Sequence, residues 1–193
     1  MTGKIAALQA MKRDGRKIVA VVAWDEGTAR VLDEAGVDLI SVGDSGAVSF
    51  DELLVFCAAV RRGTARAVVS CDLPQPSPEA ARRIVDAGAD LVKVEGVDNV
   101  RALAVAGIPV FAQIASAAEA KPMEAAGAAL IDFRESGAEA GAEAVAAVSI
   151  PVLGGLGGGP WLDGRVRAVH KLVGEAVVAY ADDVRAGRSV QGD

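Results

Sequence analysis

The chain has 193 residues, of which 52% are hydrophobic, and 26 acidic against 20 basic side chains leave a formal net charge of −6. That length supports one domain over residues 1–193 with a substantial core. The acidic balance, with basic side chains gathered into nothing longer than a doublet such as Arg61-Arg62, argues against a nucleic-acid partner. No apolar run reaches the length of a membrane span and the N-terminus does not read as a signal peptide, so no membrane partner and a cytoplasmic setting are expected.

In chain order, residues 4–14 predict an amphipathic helix with Ile5, Leu8 and Met11 on one face. It is placed to plug the bottom of a barrel or to meet a partner subunit. Eight short apolar runs follow, at 17–24, 39–42, 67–71, 91–94, 110–114, 129–133, 152–153 and 166–169, and each predicts a strand. Helical periodicity fills 27–35, 50–62, 77–86, 99–105 and 139–148. Phrases such as Asp33-Glu34-Ala35-Gly36 and Asp86-Ala87-Gly88 repeat one device, a helix end followed by a glycine turn into the next strand. Regular strand and helix alternation predicts parallel units, and eight of them predict a compact (β/α)₈ TIM barrel with an N-terminal helix. Ordinary barrels take about 250 residues, so the loops must be minimal; a doubly wound open sheet is the alternative architecture.

Three of the runs lead into a carboxylate: Asp44 in Val42-Gly43-Asp44-Ser45, Asp72 in Val69-Ser70-Cys71-Asp72, and Glu95 in Lys93-Val94-Glu95-Gly96. Parallel strands would deliver all three to the C-terminal face, where α/β proteins build their sites. Lys93 and Glu95, two apart, share a face of their strand. Three acids and a lysine then converge on one oxygen-rich pocket. Taken singly, each feature has a structural reading as well. Asp44 and Ser45 suit a helix cap, Asp72 before Leu73-Pro74 suits a turn, and Lys93 with Glu95 suits an internal ion pair. His170, Cys57 and Cys71 read as packed residues. The run from Gly154 to Pro160 reads as a close-packed glycine turn, since it lacks the Lys-Ser/Thr ending of a phosphate loop. Asp25, after Trp24, is a candidate supporting carboxylate.

The set Gly43-Asp44-Ser45, Cys71-Asp72-Leu73-Pro74 and Lys93-Val94-Glu95-Gly96, together with residues 10–19, Thr28-Ala29-Arg30, residues 59–63 and Asp163-Gly164-Arg165-Val166, resembles the ketopantoate hydroxymethyltransferases of the phosphoenolpyruvate/pyruvate barrel superfamily. The resemblance implies that Asp44 and Asp72 hold Mg²⁺ or Mn²⁺ with Glu95 close to the metal, and that Ser45 and Lys93 grip the carboxylate of a small 2-oxo acid. It implies an aldol-type carbon–carbon bond formation through a metal-bound enolate, with methylene-tetrahydrofolate as carbon donor, in a homo-oligomer.

Departures from the family pattern bear on the reaction. Counting back without gaps from Ser149-Ile150-Pro151, the family's catalytic glutamate position holds Arg134, with Glu135 beside it. Catalytic groups are therefore expected among Lys93, Glu95, Arg134 and Glu135. Gln113 replaces a family histidine and joins Ser45, Lys93 and Arg134 as a substrate-binding candidate. The loops that follow Asp44 and the fifth strand are short, which predicts an open site. Two alternatives follow: a carbon–carbon lyase or decarboxylase with Arg134 as a second anion holder, and a non-catalytic ligand-binding paralogue.

Overall fold

The computed structural model describes residues 3–43, 48–155 and 159–186. Its eight strands are β1 Ile18–Val22, β2 Leu39–Val42, β3 Val68–Asp72, β4 Leu91–Glu95, β5 Val110–Gln113, β6 Leu130–Asp132, β7 Val152–Gly154 and β8 Gly164–Ala168. They run parallel and close in sequence order into a barrel. Closure is explicit in the β1–β8 ladder from Ile18↔Gly164 to Val22↔Ala168, which rules out the open sheet. The helices are α1 Gly3–Arg13, α2 Glu26–Glu34, α3 Phe50–Gly63, α4 Pro78–Asp86, α5 Val97–Val105, α6 Ala120–Ala125, α7 Ala138–Ala147 and α8 Val169–Arg185.

Local chemistry sets the helix starts. Asp25 caps α2, Ser77 caps α4, and Ser49 with Glu52 forms a reciprocal capping box on α3. Asp25 accepts hydrogen bonds from the Thr28 amide at 2.8 Å and hydroxyl at 2.7 Å, so it is a cap and not a support for the site. Because Ser49 caps α3, the capping explanation for Asp44 and Ser45 falls away.

Period-two alternation sorts the strands into two layers. One face, including Val21, Ile40, Val69, Val92, Val110, Ile131 and Val152, packs under the helices against Leu53, Ile84, Leu103 and Met123. The opposite face fills the barrel with Ile18, Ala20, Leu39, Val68, Leu91, Phe111, Leu130 and Leu153, joined by Ile5, Leu8 and Met11 of α1. Lys4, Gln9 and Lys12 of α1 donate to the carbonyls of Ala67, Ala129 and Ile150, just ahead of β3, β6 and β7. The N-terminal helix thus closes the barrel bottom, one of its two expected placements.

Two helices escaped the sequence reading. Short α6 contains Pro122 and follows a 3-10 turn at Ala117–Glu119, so it offers too few turns for a periodic signal. The longer α8 buries none of its residues, so its apolar positions mark no core face. The last strand begins at Gly164, two residues earlier than expected, because Arg165 and Arg167 project outward and interrupt the apolar run. No helix among the described residues is long and apolar enough to cross a membrane.

Candidate active site

On each of five strands the barrel-facing residues change from apolar to polar toward the C-terminal end. Leu39 is followed by Ser41, Val68 by Ser70 and Asp72, Leu91 by Lys93 and Glu95, Phe111 by Gln113, and Leu130 by Asp132 and Arg134. The register joins them: Asp72 pairs with Lys93, Glu95 with Gln113, and Gln113 with Asp132. Asp72, Lys93, Glu95, Gln113 and Arg134 line a cavity of about 590 Å³, with Gly43, Val48, Leu53 and Pro74 among its other walls.

Lys93 is the centre of the charge arrangement. Only 5% exposed, it stands 3.0 Å from Asp72 and 3.6 Å from Asp132, with the Phe111 ring 5.8 Å from its nitrogen. Burial alone drives a lysine toward its neutral form, but the two carboxylates outweigh it and hold the Lys93 ammonium above its ordinary pKa. Glu95 does not pair with Lys93; it accepts from the Gln113 amide at 2.7 Å. The Gln113 carbonyl in turn accepts from Arg134 at 3.3 Å, and Arg134 lies 3.8 Å from Asp132.

Asp132 was missed in the sequence because it falls inside an apolar stretch. Its signal was register, two places beyond the inward-facing Leu130. It is 2% exposed, and burial pushes its carboxyl above the usual carboxylate range, against the pull of Lys93 and Arg134.

The structure does not bring Glu135 to this cavity. Glu135 is exposed in the turn that follows β6 and is not among the residues that line the cavity. His170 is exposed at the start of α8, which corrects its reading as a packed residue. Cys57 and Cys71 are buried free thiols, as expected. Asp44 and Ser45 lie outside the described residues, as do residues 156–158 of the glycine-rich turn.

The immediate neighbour of Asp44 is described, and it bears on the metal question. Gly43 has φ +139°, and a Cβ placed there would meet the Asp72 carboxylate at 2.2 Å. The Trp24 indole donates to the Gly43 carbonyl at 3.1 Å. The Asp72 carboxylate is therefore seated against the backbone one residue before Asp44. Hard oxygens of this kind suit Mg²⁺ or Mn²⁺. Among the described residues no three His, Cys, Asp or Glu side chains form a metal-binding group. Asp72 and Glu95 therefore do not make up such a group by themselves among the described residues.

Comparison with known proteins agrees with this geometry. The family model described as ketopantoate hydroxymethyltransferase matches residues 3–117. A protein of Hyperthermus butylicus named 3-methyl-2-oxobutanoate hydroxymethyltransferase is 34% identical, over 92% of this chain and 84% of its own length. One of the same name from a Cyanothece species is 35% identical, over 90% and 85%. The first alignment extends over 244 residues against the 193 of this chain, so the relative carries segments that are missing here.

Among solved structures, a putative phosphonomutase from Burkholderia cenocepacia superposes with a TM-score of 0.72 at 20% identity, covering 95% of this chain and 99% of the other. A phosphonopyruvate hydrolase complexed with oxalate and Mg²⁺ gives 0.65 at 18% identity, covering 100% and 90%. At these identities the structural likenesses speak for the barrel fold alone.

Proposed function

We propose, from the premise that this chain belongs to the ketopantoate hydroxymethyltransferase family, that it is a divalent-metal-dependent transferase forming a carbon–carbon bond on a small 2-oxo acid. The observation that carries this reading is the Asp72 and Lys93 pair at the ends of adjacent strands, 3.0 Å apart in a cavity shared with Glu95, Gln113 and Arg134. Asp72, Glu95 and Asp44 are the residues to hold Mg²⁺ or Mn²⁺. A bound ion of this type supplies Lewis-acid polarisation of a keto oxygen, a stabilisation of several kcal/mol.

The chain's own residues do the rest. Lys93, kept cationic by its two carboxylates, receives the substrate carboxylate together with Ser45. The Glu95, Gln113 and Arg134 chain holds the polar rim in one orientation. Deprotonation next to the keto group gives an enolate, and its carbon attacks the one-carbon unit of methylene-tetrahydrofolate; one water is consumed, the carbon–nitrogen bonds to the folate break, and tetrahydrofolate leaves as the hydroxymethylated acid forms. The relatives' name contains 3-methyl-2-oxobutanoate, which makes that acid the first substrate to test. Mixed with this acid, Mg²⁺ and methylene-tetrahydrofolate, the protein should form the hydroxymethylated acid, and Asp72→Asn should not. Absence of product with this and other 2-oxo acids would refute the transferase reading.

Arg134 favours one second reading. A guanidinium at the cavity rim suits a second anionic group, and a carbon–carbon lyase or decarboxylase reaches an enolate by breaking a bond instead of removing a proton. Metal-dependent cleavage of 2-oxo acids bearing a second carboxylate, without one-carbon transfer, is the result that would select it. We place the protein in the cytoplasm, as a homo-oligomer whose contact includes the exposed apolar stripe of α8.

A further inference from the structure

We propose that Asp132 is the proton acceptor of this site, taking through its Oδ1 the proton from the carbon beside the keto group of the bound 2-oxo acid. The inference rests on the function proposed above and names the base that the sequence lacks. The position where the resemblance implies a catalytic glutamate holds Arg134, and Glu135 is exposed away from the cavity. A carboxylate close to the vacated role is Asp132, two residues back at the end of β6 and 3.8 Å from Arg134.

Its two oxygens are used unequally. Oδ2 faces the Lys93 ammonium at 3.6 Å and the Arg134 guanidinium at 3.8 Å. Oδ1 is buried and has no hydrogen-bond partner among the described residues. Buried polar atoms are nearly always paired, and leaving one unpaired costs about 1–3 kcal/mol. A counter-ion serving Lys93 and Arg134 does not explain that arrangement, whereas an oxygen kept for a substrate proton does.

The cavities supply the path. Lys93 and Arg134 line the cavity of Asp72 and Glu95, and they also line a second of about 600 Å³ that contains Asp132. The walls beyond Asp132 in this second space include Val22, Val166 and Ala168 together with Arg165, Arg167, His170 and Lys171. A 2-oxo acid with its carboxylate at Lys93 can thus extend its alkyl carbon toward Val22, Val166 and Ala168, past Asp132. Asp72 of β3, Lys93 of β4 and Arg134 after β6 act on the Asp132 charge, and Arg165 and Arg167 of β8 with His170 and Lys171 of α8 line the same space. Burial holds the carboxyl above the ordinary range, nearer the neutral values at which general bases work best.

In the step itself the C–H bond breaks and its proton moves to Oδ1. The electron pair becomes the enolate double bond, and the carbonyl pair moves onto oxygen. In D₂O the acid proton exchanges with solvent and a deuteron returns to carbon, so isotope exchange needs no carbon donor.

The test is NMR of 3-methyl-2-oxobutanoate in D₂O at saturating Mg²⁺, with calorimetric oxalate binding as a second readout that involves no proton transfer. Asp132→Asn should slow exchange by about 10²–10⁴-fold while oxalate affinity stays within about tenfold, and Asp132→Glu should restore part of the rate. Exchange by Asp132→Asn within about fivefold of wild type would overturn the inference, as would wild-type protein that binds oxalate and does not exchange. Wild-type protein that fails to bind oxalate with Mg²⁺ would instead overturn the function proposed above, and this inference with it. Should neither variant fold, the wild-type pH profile decides. Exchange must fall on acidification through one group titrating above the ordinary aspartate value of about 3.9, and a rate unchanged down to that value would contradict the assignment.

Discussion

Lys93 sits among groups that need it for stability as well as for chemistry. Its removal would leave Arg134, 3.8 Å away, as the one cation paired with buried Asp132 among the described residues, and breaking a buried ion pair typically costs about 3–5 kcal/mol. Lys93→Ala should therefore lower the denaturant midpoint by an amount of that order, a larger effect than an exposed carboxylate anchor would give. At Gly43 the expectation is local. An alanine there must take a strained φ and displace the Asp72 carboxylate, so Gly43→Ala should abolish Mg²⁺ binding measured by calorimetry. Retained binding would show that Asp72 can ligate from elsewhere. Asp72, Lys93 and Glu95 were legible in the sequence because each stands at or near the end of a recognisable strand, and Gln113 and Arg134 through the family resemblance. Asp132 was not, because one charge inside Ala129-Leu-Ile-Asp-Phe133 does not break an apolar run, and only the inward register reveals it.

At the scale of elements, a carboxylate far from the site joins α2 to the entry of β3. Asp33, 5% exposed, accepts from the backbone amides of Ala65, Arg66 and Ala67, the last at 2.7 Å. Burial alone would raise its pKa, but these amides and Arg66 lower it below the ordinary value. A depressed folded pKa means that its stabilisation is fully present above the unfolded value of about 3.9 and is lost as pH falls through the folded value. Wild type should lose stability over that acid range, and Asp33→Asn, less stable at neutral pH by about 1–3 kcal/mol, should lose less of it. Parallel losses in both proteins would contradict the assignment. The alternation of strands and helices was readable for a related reason: caps such as Ser49 with Glu52 and the repeated Ala-Gly ends are local signals. Burial on one helix face is not local, which is why α8, none of whose residues is fully buried, gave no such signal.

For the whole molecule, α8 carries Val173, Val177, Tyr180 and Val184, each more than half exposed, at a spacing that aligns them on one side of the helix. Val19 of β1 is 50% exposed as well. A stripe of this kind fits assembly, and Val177→Lys combined with Tyr180→Lys should reduce the mass seen by light scattering without unfolding the barrel. A wild-type monomer at micromolar concentration would refute the homo-oligomer.

The claim on which the account depends is that Asp72 and Lys93 build a site for a divalent ion and a 2-oxo acid. Calorimetric titration of oxalate in the presence and absence of Mg²⁺ tests it most directly, with wild type and Asp72→Asn side by side. The account predicts metal-dependent oxalate binding by wild type and none by the variant. Equal binding by both proteins, or none by wild type at saturating Mg²⁺, would contradict it.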